Sequence, residues 1–432
     1  MKKFVFLSLL LFYLIPESIG QFTLLGEFRP RFEYRGGYGK LLSSDENPVL
    51  TVSQRTRLSA YYQTGIFSFG FGIQDVRVWG DDDMYGATGV TGSYASIDLN
   101  EGWIGIKPYK KGLFKIGRQF WNYEDGRILS ARGWNQSQVK YDALLFQHQG
   151  EKLTLDVGLS WNNMLESIAL NEYPSGKLKT LNFLYLKWNI NDWLYLSGIG
   201  IASGFTATDT TTEVNMQGTY GIYLGAKKGN FNALASGYYQ NGRNRAGKQT
   251  SAYMFSLAGD YQMAGKFTLG AGIDFLSGSD QMNPDSVYQL KNHSFDVLYG
   301  IRHGKYGHLD YFNNMPRSTG DGGLIDIYLK FNWKFASAAN VGLDFHTFSL
   351  QNDVIDKTTE DLTVLPRQLG QEFDFYISWD IVKYVNIRGG YSLLLATGTM
   401  EKLQGVYGNA RFPTWAWVMV TAKPVLFESP GR

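Results

Sequence analysis

Hydrophobic and polar residues alternate one for one along Leu324–Phe335. Successive side chains of a β-strand point to opposite faces, so this pattern predicts a strand with one apolar and one polar face. The apolar face carries Ile325, Ile327, Leu329, Phe331, Trp333 and Phe335. The polar face carries Asp326, Tyr328, Lys330, Asn332 and Lys334. A strand of this kind suits the wall of a membrane pore, which has lipid on one side and water on the other.

The same alternation recurs along the chain in segments of about ten residues, and about 18 strands are predicted. Tight turns such as Thr64-Gly65 and Gly229-Asn230 follow every second segment, whereas the other connections are usually longer and polar. The predicted fold class is all-β: a transmembrane antiparallel up-and-down β-barrel of about 18 strands. A soluble all-β protein, such as a propeller or stacked sandwiches, is the alternative. The sequence lacks the repeat of about 40–50 residues that a propeller requires.

The two ends of the chain add a predicted location. Residues 1–20 begin with Met1-Lys2-Lys3 and continue with an apolar run too short to span a bilayer, which predicts a secretory signal peptide. Residues 21–432 are then predicted to form the barrel, with strands that include Tyr94–Lys107, Gln136–His148 and Pro413–Lys423. The predicted location is the outer membrane of a Gram-negative bacterium. An even number of strands would place both termini in the periplasm.

Charged residues share one face of several predicted strands. Glu27, Arg29, Arg31, Glu33 and Arg35 have the same parity on the first strand. An arginine that faces lipid at mid-bilayer costs about 2–4 kcal/mol, so this face is predicted to line the lumen. The cations predicted to line the lumen by parity are Arg29, Arg31, Arg55, Arg57, Arg77, Lys140, Lys330 and Arg388. The predicted lumen acids are Asp75, Asp142, Asp156, Asp274, Asp326, Asp344, Glu372, Asp374 and Asp380.

Two interpretations of these charges are open. In the first, cations and acids form salt bridges that fill and stiffen the wall. In the second, arginines on strands one to three face acids on strands thirteen to sixteen, and the resulting transverse field selects solutes by charge. Arg29, Arg31, Arg55 and Arg57 are the best candidates for selectivity under the second interpretation.

Aromatic residues make up 16% of the chain, as expected for the girdles of a barrel. Seven tryptophans are predicted to face lipid and to mark the membrane interfaces. They are Trp103, Trp161, Trp193, Trp333, Trp379, Trp415 and Trp417.

Two sequence blocks resemble a known family. The first reads Gly117-Arg118-Gln119-Phe120, followed by Tyr123-Glu124-Asp125-Gly126-Arg127, and the second begins at Phe295-Asp296-Val297 and ends at Asp310-Tyr311-Phe312. Together they resemble the alginate export family of outer-membrane β-barrels, in its porin-like form. The resemblance implies an eighteen-stranded barrel and an arginine-lined, anion-selective conduit for an acidic polysaccharide. By motif match, Arg118 and Arg127 would join the lumen arginines, although Arg118 shares the parity of Phe114 and Ile116.

Other chemistry has weaker signals. The net charge of +2 gives no case for nucleic acid, and no cofactor is predicted. His293, His303 and His308 lie in one loop, but their spacing matches no standard metal site. Asp81-Asp82-Asp83 could hold calcium, although a solvated external loop is the commoner explanation for such a cluster. A barrel hydrolase is considered and set aside, because His148 and His346 have no evident nucleophile beside them, and no enzyme is predicted.

The predicted function is a pore for passive transport of small or anionic solutes, with export of an acidic polysaccharide as an extension. The alternative is a barrel scaffold, or the outer-membrane part of an export assembly, without an open pore. The predicted partners are outer-membrane lipid and lipopolysaccharide, small anionic or saccharide solutes and periplasmic export proteins. By position, the predicted pore-lining set also includes Asp326, Glu372 and Asp374.

Overall fold

The computed structural model describes residues 20–82, 90–91, 96–166, 168, 173–209, 212–360 and 363–429. The predicted signal peptide lies outside the described residues except for Gly20, so it stays a prediction. Across the described ranges, eighteen long antiparallel strands form one closed sheet, which confirms the predicted fold class. They are β1 (Gln21–Gly36), β2 (Val49–Gln63), β3 (Phe67–Val78), β4 (Ser96–Ile106), β5 (Gly112–Gln119), β6 (Tyr141–Gln149), β7 (Leu153–Trp161), β8 (Leu178–Asn191), β9 (Leu194–Thr206), β10 (Val214–Lys228), β11 (Phe231–Arg243), β12 (Gln249–Met263), β13 (Phe267–Leu276), β14 (Leu324–Ala336), β15 (Ala339–Ser349), β16 (Gln368–Val382), β17 (Val385–Ala396) and β18 (Thr414–Ala422).

Each strand pairs with its neighbours in sequence, and β1 closes the barrel by pairing with β2 on one side and β18 on the other. Proline has no backbone N–H to donate, and the last strand is interrupted at Pro424. A short strand, β19 (Val425–Glu428), resumes after it and pairs with the first residues of β1. Closure therefore extends to the start of β1 and leaves no long unpaired edge there.

The strand faces follow the predicted alternation. On β14, Asp326 and Tyr328 are buried, whereas Ile327 and Leu329 are 48% and 57% exposed. The exposed apolar residues form the outward face, and the polar residues point into the lumen. The pattern in Leu324–Phe335 is thus confirmed as a strand of the barrel wall.

Short turns lie at one end of the barrel, the short-turn end, and longer connections lie at the other, the long-loop end. Two long connections, residues 120–140 and 277–323, fold into the lumen and are called the inner loops. The second contains two one-turn helices, α1 (Ser286–Gln289) and α2 (Met315–Ser318). A third helix, α3 (Gly398–Gln404), lies between β17 and β18. None of the helices in the described ranges is long and apolar enough to cross a membrane.

The hydrophobic core lies inside the barrel rather than between layers. It is formed where the inner loops pack against inward side chains of the wall, and Trp121, Leu129, Phe295 and Phe312 are 1–2% exposed there. A water-filled lumen would leave such side chains hydrated, so their burial shows that the inner loops fill the long-loop half of the lumen.

One predicted strand boundary needs correction, and another lies outside the described residues. The sixth predicted strand starts at Gln136, but β6 starts at Tyr141 because residues 136–140 belong to an inner loop. Gln138 has a φ of +59°, which a strand does not allow, and the carbonyl of Gln136 accepts a hydrogen bond from Arg55. The fourth predicted strand starts at Tyr94, which lies outside the described residues, and β4 is described from Ser96.

Candidate pore-lining site

The inward face of β1 and β2 carries four arginines, which we call the basic wall: Arg29, Arg31, Arg55 and Arg57. Three of them are 2–6% exposed, although a charge in a pore would normally be hydrated. Their burial is explained by the 120–140 inner loop, which covers them and supplies hydrogen-bond acceptors.

Backbone carbonyl oxygens of the inner loop accept hydrogen bonds from the basic wall. Arg29 donates to the carbonyls of Gly133 and Asn135 at 2.8 Å and 3.0 Å, and its Nε donates to the side chain of Gln136 at 3.0 Å. Arg31 donates to the carbonyl of Trp134, and Arg55 donates to the carbonyl of Gln136 at 3.0 Å. Buried arginines need such acceptors, so these contacts fix the position of the loop.

Two carboxylates on β1 share the basic wall. Glu27 forms an ion pair with Arg55 and lies 3.7 Å from Arg57, and Glu33 lies 3.0 Å from Arg31. Arg57 differs from the other three arginines, because its strongest contact is a 2.7 Å hydrogen bond to the side chain of Gln74 on β3. The wall thus carries more positive than negative charge, and its arginines are occupied by the loop and by acids.

The opposite group of strands carries a set of buried acids, which we call the acidic wall. It comprises Asp274, Asp326, Asp344, Glu372 and Asp374 on β13–β16, each at most 3% exposed. The strand register places these acids beside one another: Asp274 pairs with Asp326, and Asp344 pairs with Asp374. The predicted separation between arginines near the start of the barrel and acids on strands thirteen to sixteen is therefore present in the structure.

Most acids of the acidic wall have a specific partner. Lys330 lies 3.0 Å from Asp344, and His346 Nδ1 lies 3.0 Å from Asp326. The backbone N–H of Leu309, on the second inner loop, donates to Glu372 at 2.7 Å. Like-charged groups at such spacing repel one another, so these partners are needed to hold the wall together.

Arg127 connects the 120–140 inner loop to the acidic wall. Its Nη1 donates to Asp274 at 2.6 Å, and its Nε lies 3.2 Å from Asp125 of the same loop. Burial alone would lower the pKa of Arg127, but the charges of Asp274 and Asp125 outweigh burial and raise it. The loop thus crosses the lumen, with its carbonyls on the basic wall and its arginine on the acidic wall.

Lys305 of the second inner loop completes this ion network. Its Nζ lies 2.8 Å from Asp125, which also contacts Arg127. Burial would raise the pKa of Asp125, but the two cations hold it below its usual value. Burial and the charge of Arg127 lower the pKa of Lys305. The two inner loops are therefore joined to each other as well as to the wall.

Aromatic rings pack beside the basic wall. Trp134 stacks on His303 with ring centroids 3.9 Å apart, and the Arg31 guanidinium lies 4.3 Å from the Trp134 ring. Trp415 and Trp417 of β18 pack edge-on against Trp134 and are 0% and 4% exposed. The prediction that these two tryptophans face lipid is wrong, because the lumen on this side holds an inner loop rather than water.

Trp103 also points inward, where its indole N–H donates to Glu101 and its ring lies 3.9 Å from the ammonium of Lys115. The other four predicted interfacial tryptophans are 40–59% exposed, in agreement with an outward position. They are Trp161, Trp193, Trp333 and Trp379. The prediction that Trp103 faces lipid is wrong, because β4 contains a register shift opposite Gly72 and Ile73. This shift reverses the alternation of inward and outward side chains along the strand.

The structure divides the predicted pore-lining residues into two groups. Eleven lie on inward faces or on an inner loop: Arg29, Arg31, Arg55, Arg57, Arg127, Lys140, Asp326, Lys330, Glu372, Asp374 and Arg388. Whether any of them selects solutes stays a prediction. Arg388 differs from most of this group because it is exposed to water within the lumen.

Arg77 and Arg118 do not line the lumen. On β3, Arg77 and Asp75 share the outward face with Phe69 and Phe71, and they form an ion pair at 2.7 Å. On β5, Arg118 has the parity of exposed Ile116 and no register shift intervenes. These charges lie near the long-loop ends of their strands, where the membrane boundary tolerates charge, so polarity alone misled the prediction.

Two further charged residues, Asp142 and Lys140, lie close to Arg118. Asp142 pairs with Arg118 across β5 and β6 and shares its outward face, so its assignment as a lumen acid is wrong. Lys140 lies just before β6, at the rim of the wall, where it forms an ion pair with Asp98. The prediction that Lys140 lies on the sixth strand is wrong, because residues 136–140 belong to an inner loop.

A cavity of about 700 Å³ lies in the short-turn half of the lumen. We call it the vestibule. Its polar lining includes Tyr195, Tyr223, Asp260, Lys227, Lys305, Lys330 and Tyr376. Lys227 is absent from the predicted pore-lining set, although its inward parity on β10 was visible in the sequence. Lys305 was missed because it reaches the vestibule from an inner loop, where sequence periodicity carries no information.

No group of three or more potential ligands in the described part of the chain is arranged to hold a metal ion. His303 and His308 lie 5.2 Å apart by ring centroid, whereas His293 stacks on Tyr288. Asp83 lies outside the described residues, so calcium binding at Asp81–Asp83 stays a prediction.

His308 provides a prediction about pH. Burial lowers its pKa to about 4. The charges of Asp374 and Asp344 act to raise this pKa, whereas His303 and Lys330 act to lower it. The unfolded chain would titrate near pH 6.5, so it binds more protons than the native state between these values. Stability contributed by neutral His308 is present above pH 6.5 and is lost as the pH falls to about 4. The wild type should lose about 2–3 kcal/mol more than His308→Asn across this window.

Urea unfolding in detergent at pH 7 and pH 4, followed by tryptophan fluorescence, measures this difference. His308→Asn keeps every acid of the acidic wall and removes only the imidazole, so the difference between the two proteins reports on His308. Equal losses of stability in the wild type and His308→Asn would show that His308 does not bind a proton on unfolding.

Comparison with known proteins agrees with this architecture. The sequence profile described as alginate export matches residues 51–414. No curated protein sequence matches. Among solved structures, OccK9 (OpdG) of Pseudomonas aeruginosa has a TM-score of 0.62 at 11% identity, with 94% of this chain and 98% of that chain covered.

Two further structures show the same fold. OccAB1 of Acinetobacter baumannii has a TM-score of 0.60 at 13% identity, over 94% of this chain and 97% of that chain. A BenF-like porin from Pseudomonas fluorescens Pf-5 has a TM-score of 0.61 at 12% identity, over 94% of this chain and 99% of that chain. Because the family profile covers most of the sequence, the chain belongs to the alginate export family of outer-membrane β-barrels.

Proposed function

We propose that this outer-membrane channel passes small hydrophilic anions down their concentration gradient. The observation that carries the proposal is the charge of the water-exposed side chains in the short-turn half of the lumen. Among the described inward residues there, the exposed or half-exposed cations are Lys115, Lys187, Lys227, Lys305, Lys330, Lys334, Arg388 and Lys423. The comparably exposed acids are Asp260 and Asp380 on the wall and Glu124 and Asp125 on the inner loop, so cations outnumber acids. Such an excess of positive charge raises the local concentration of anions.

Small solutes are favoured over a long acidic polysaccharide. A polyanion would need a continuous track of accessible cations through the barrel. Arg29, Arg31 and Arg55 are 6%, 6% and 2% exposed, and their donors already bind inner-loop carbonyls. The vestibule, at about 700 Å³, has room for a solute of one or two sugar rings in size.

Swelling of liposomes that contain the purified protein tests this proposal. Gluconate, glucose and a cationic amino sugar of similar size would be compared as solutes. Gluconate should enter at least twofold faster than glucose, and the cation should enter most slowly. Equal rates for the three solutes would contradict the anion preference, and absence of swelling would favour the scaffold alternative, which the filled long-loop half also supports.

Neutralising three exposed cations in the short-turn half of the lumen should reduce the preference for anions. The variant Lys227→Gln/Lys334→Gln/Arg388→Gln removes exposed charge without touching the inner-loop contacts of the basic wall or the ion pairs of the acidic wall. We expect the chloride-to-potassium permeability ratio in planar bilayers to fall at least twofold. Lys228→Gln is the matched control, because Lys228 adjoins Lys227 but points outward on β10. An unchanged permeability ratio in the triple variant would show that these three residues do not set the preference for anions.

The proposed orientation places the short-turn end and both termini in the periplasm. The support is that both ends of the described barrel, at β1 and β19, lie at the short-turn end. A C-terminal epitope tag should be inaccessible to antibody in intact cells and accessible after the outer membrane is opened. Labelling of intact cells would reverse the orientation.

A further inference from the structure

Two carboxyl groups of the acidic wall, those of Glu372 and Asp374, have no positively charged partner. They lie two residues apart on the inward face of β16, and both residues are 0% exposed. Neither takes part in an ion pair among the described residues. An unpaired buried charge is strongly unfavourable, and two adjacent charges of the same sign also repel each other. The pair is therefore not stable with both carboxyl groups ionised.

The two carboxyl groups face each other without a donor between them. Both oxygens of Asp374 and Oε2 of Glu372 are buried, and no described residue donates a hydrogen bond to them. The two groups nevertheless lie within hydrogen-bonding reach of one another. An ionised carboxylate only accepts hydrogen bonds, whereas a protonated carboxyl group also donates one. A single proton therefore satisfies the pair, because one carboxyl group then donates to the other.

Charged groups on the neighbouring strands already have other partners. On β15, His346 Nδ1 lies 3.0 Å from Asp326. On β14, Lys330 lies 3.0 Å from Asp344, which also accepts a 3.3 Å hydrogen bond from the hydroxyl of Tyr376 on β16. These strands thus supply no free cation to the pair.

The remaining elements around the pair supply no cation either. On β17, the strand register places the uncharged residues Ser392 and Leu394 beside it. On the second inner loop, Tyr311 donates its hydroxyl to a backbone carbonyl, and His303 is bound to an aspartate of the same loop. Burial lowers the pKa of His308 to about 4, so this imidazole is neutral near pH 7. A proton is then the simplest way to remove one of the two charges.

The second inner loop rests directly on this pair. The N–H of Leu309 donates to Glu372 Oε1 at 2.7 Å, and the N–H of His308 is directed at the same carboxyl group. Gly307 approaches so closely that a Cβ at its position would lie 2.5 Å from the carboxyl group of Glu372. A second negative charge beneath these backbone groups would have to be solvated, and the loop leaves no room for water there.

We propose that Glu372 and Asp374 share one proton at neutral pH, and that this proton holds residues 307–309 of the second inner loop against the acidic wall. The proton is the ligand of a buried site: it cancels one charge and supplies the hydrogen bond between the two carboxyl groups. Its loss at higher pH leaves two charges that repel each other and attract water, so the loop segment leaves the wall. The proposal does not depend on which solutes pass through the barrel.

Infrared spectroscopy of the purified full chain in detergent detects the proton, because a protonated carboxyl group has a C=O stretch that a carboxylate lacks. The variant Glu372→Gln/Asp374→Asn keeps the shape of both side chains and removes the site. At pH 7, the spectrum of the wild type minus that of this variant should contain the acid band of about one carboxyl group. The matched control is Asp260→Asn/Asp380→Asn, which removes two water-exposed lumen acids and should give no such band. Absence of the band from the first difference would overturn the proposal, since water or a sodium ion would then bridge two carboxylates.

Trypsin digestion tests whether the proton holds the loop. Arg302 and Lys305 precede the 307–309 segment. From pH 7 to pH 9, cleavage at these sites should accelerate about tenfold in the wild type and in the control, relative to cleavage of a small substrate, because loss of one proton shifts an equilibrium by at most tenfold per pH unit. In Glu372→Gln/Asp374→Asn the rate should stay low, since neither side chain has a proton to lose.

Lys305 is the other titratable group of this segment, and burial and the charge of Arg127 lower its pKa. It is present in all three proteins, so the comparison separates its effect from that of the carboxyl pair. Equal acceleration in the wild type and in Glu372→Gln/Asp374→Asn would assign the pH response to Lys305 and overturn the role of the pair, as would no acceleration in the wild type. Neither measurement requires conduction, so failure here is distinct from failure of the proposed anion transport.

Discussion

Replacing Arg127 by methionine is expected to lower the free energy of unfolding by about 3–5 kcal/mol, because it leaves a buried charge unpaired. Asp274 is 0% exposed, and Arg127 is its only cationic partner among the described residues. Ser256 remains bonded to Asp274, but a neutral hydroxyl does not offset the charge. The 120–140 inner loop should also detach from the acidic wall. Single-channel conductance should then rise at least twofold, since the loop crosses the lumen.

Urea unfolding in detergent and planar-bilayer recording measure the two effects of Arg127→Met. The double variant Arg127→Met/Asp274→Asn removes both charges and should recover most of the lost stability, because no unpaired charge remains. Arg317→Gln, at an exposed position on α2, is the control for a lost arginine on an inner loop. If Arg127→Met were as stable as the wild type and conducted equally, the loop would not depend on this ion pair.

Replacing Arg29 by methionine should release the same loop from the other wall. Arg29 donates to the side chain of Gln136 and to the carbonyls of residues 133–135 at 2.8–3.1 Å. Hydrogen bonds to charged groups contribute about 1.5–3 kcal/mol each, and loss of shared acceptors is not additive. We expect a destabilisation of about 3 kcal/mol.

Limited trypsin digestion reports on the loop directly, since Arg132 lies within it. Cleavage after Arg132 should become at least tenfold faster in Arg29→Met than in the wild type. Arg57→Met is the matched control, because Arg57 belongs to the same wall but contacts Gln74 and Glu27 instead of the loop. Equal cleavage in Arg29→Met and Arg57→Met would mean that Arg29 does not hold the loop.

The barrel could be predicted because the alternation of polar and apolar side chains is a local property of each strand. Each strand has one side toward lipid and one toward the lumen. Polar and apolar residues therefore alternate with a period of two in segments such as Leu324–Phe335. The same rule failed at Arg77 and Arg118, because charge is tolerated on both faces where a strand reaches the membrane boundary. It failed at Trp415 for the opposite reason, since part of the lumen is a hydrophobic core.

The crossing of the lumen by an inner loop could not be predicted from periodicity. Arg127 and Asp274 are separated by 147 residues, and neither position shows which partner the other will meet. Arg29 was recognised as a lumen cation, but its role in holding a loop depends on carbonyl groups, which every residue has. Such contacts follow from the closed barrel and not from local sequence.

The reversal potential of the wild-type channel in a tenfold gradient of potassium chloride tests the central claim most directly. An excess of exposed vestibule cations predicts that the potential has the sign set by chloride, because anions are concentrated in the lumen. The effect should weaken as total salt rises and screening increases. A reversal potential with the sign set by potassium, or a purified barrel that does not conduct, would contradict the account.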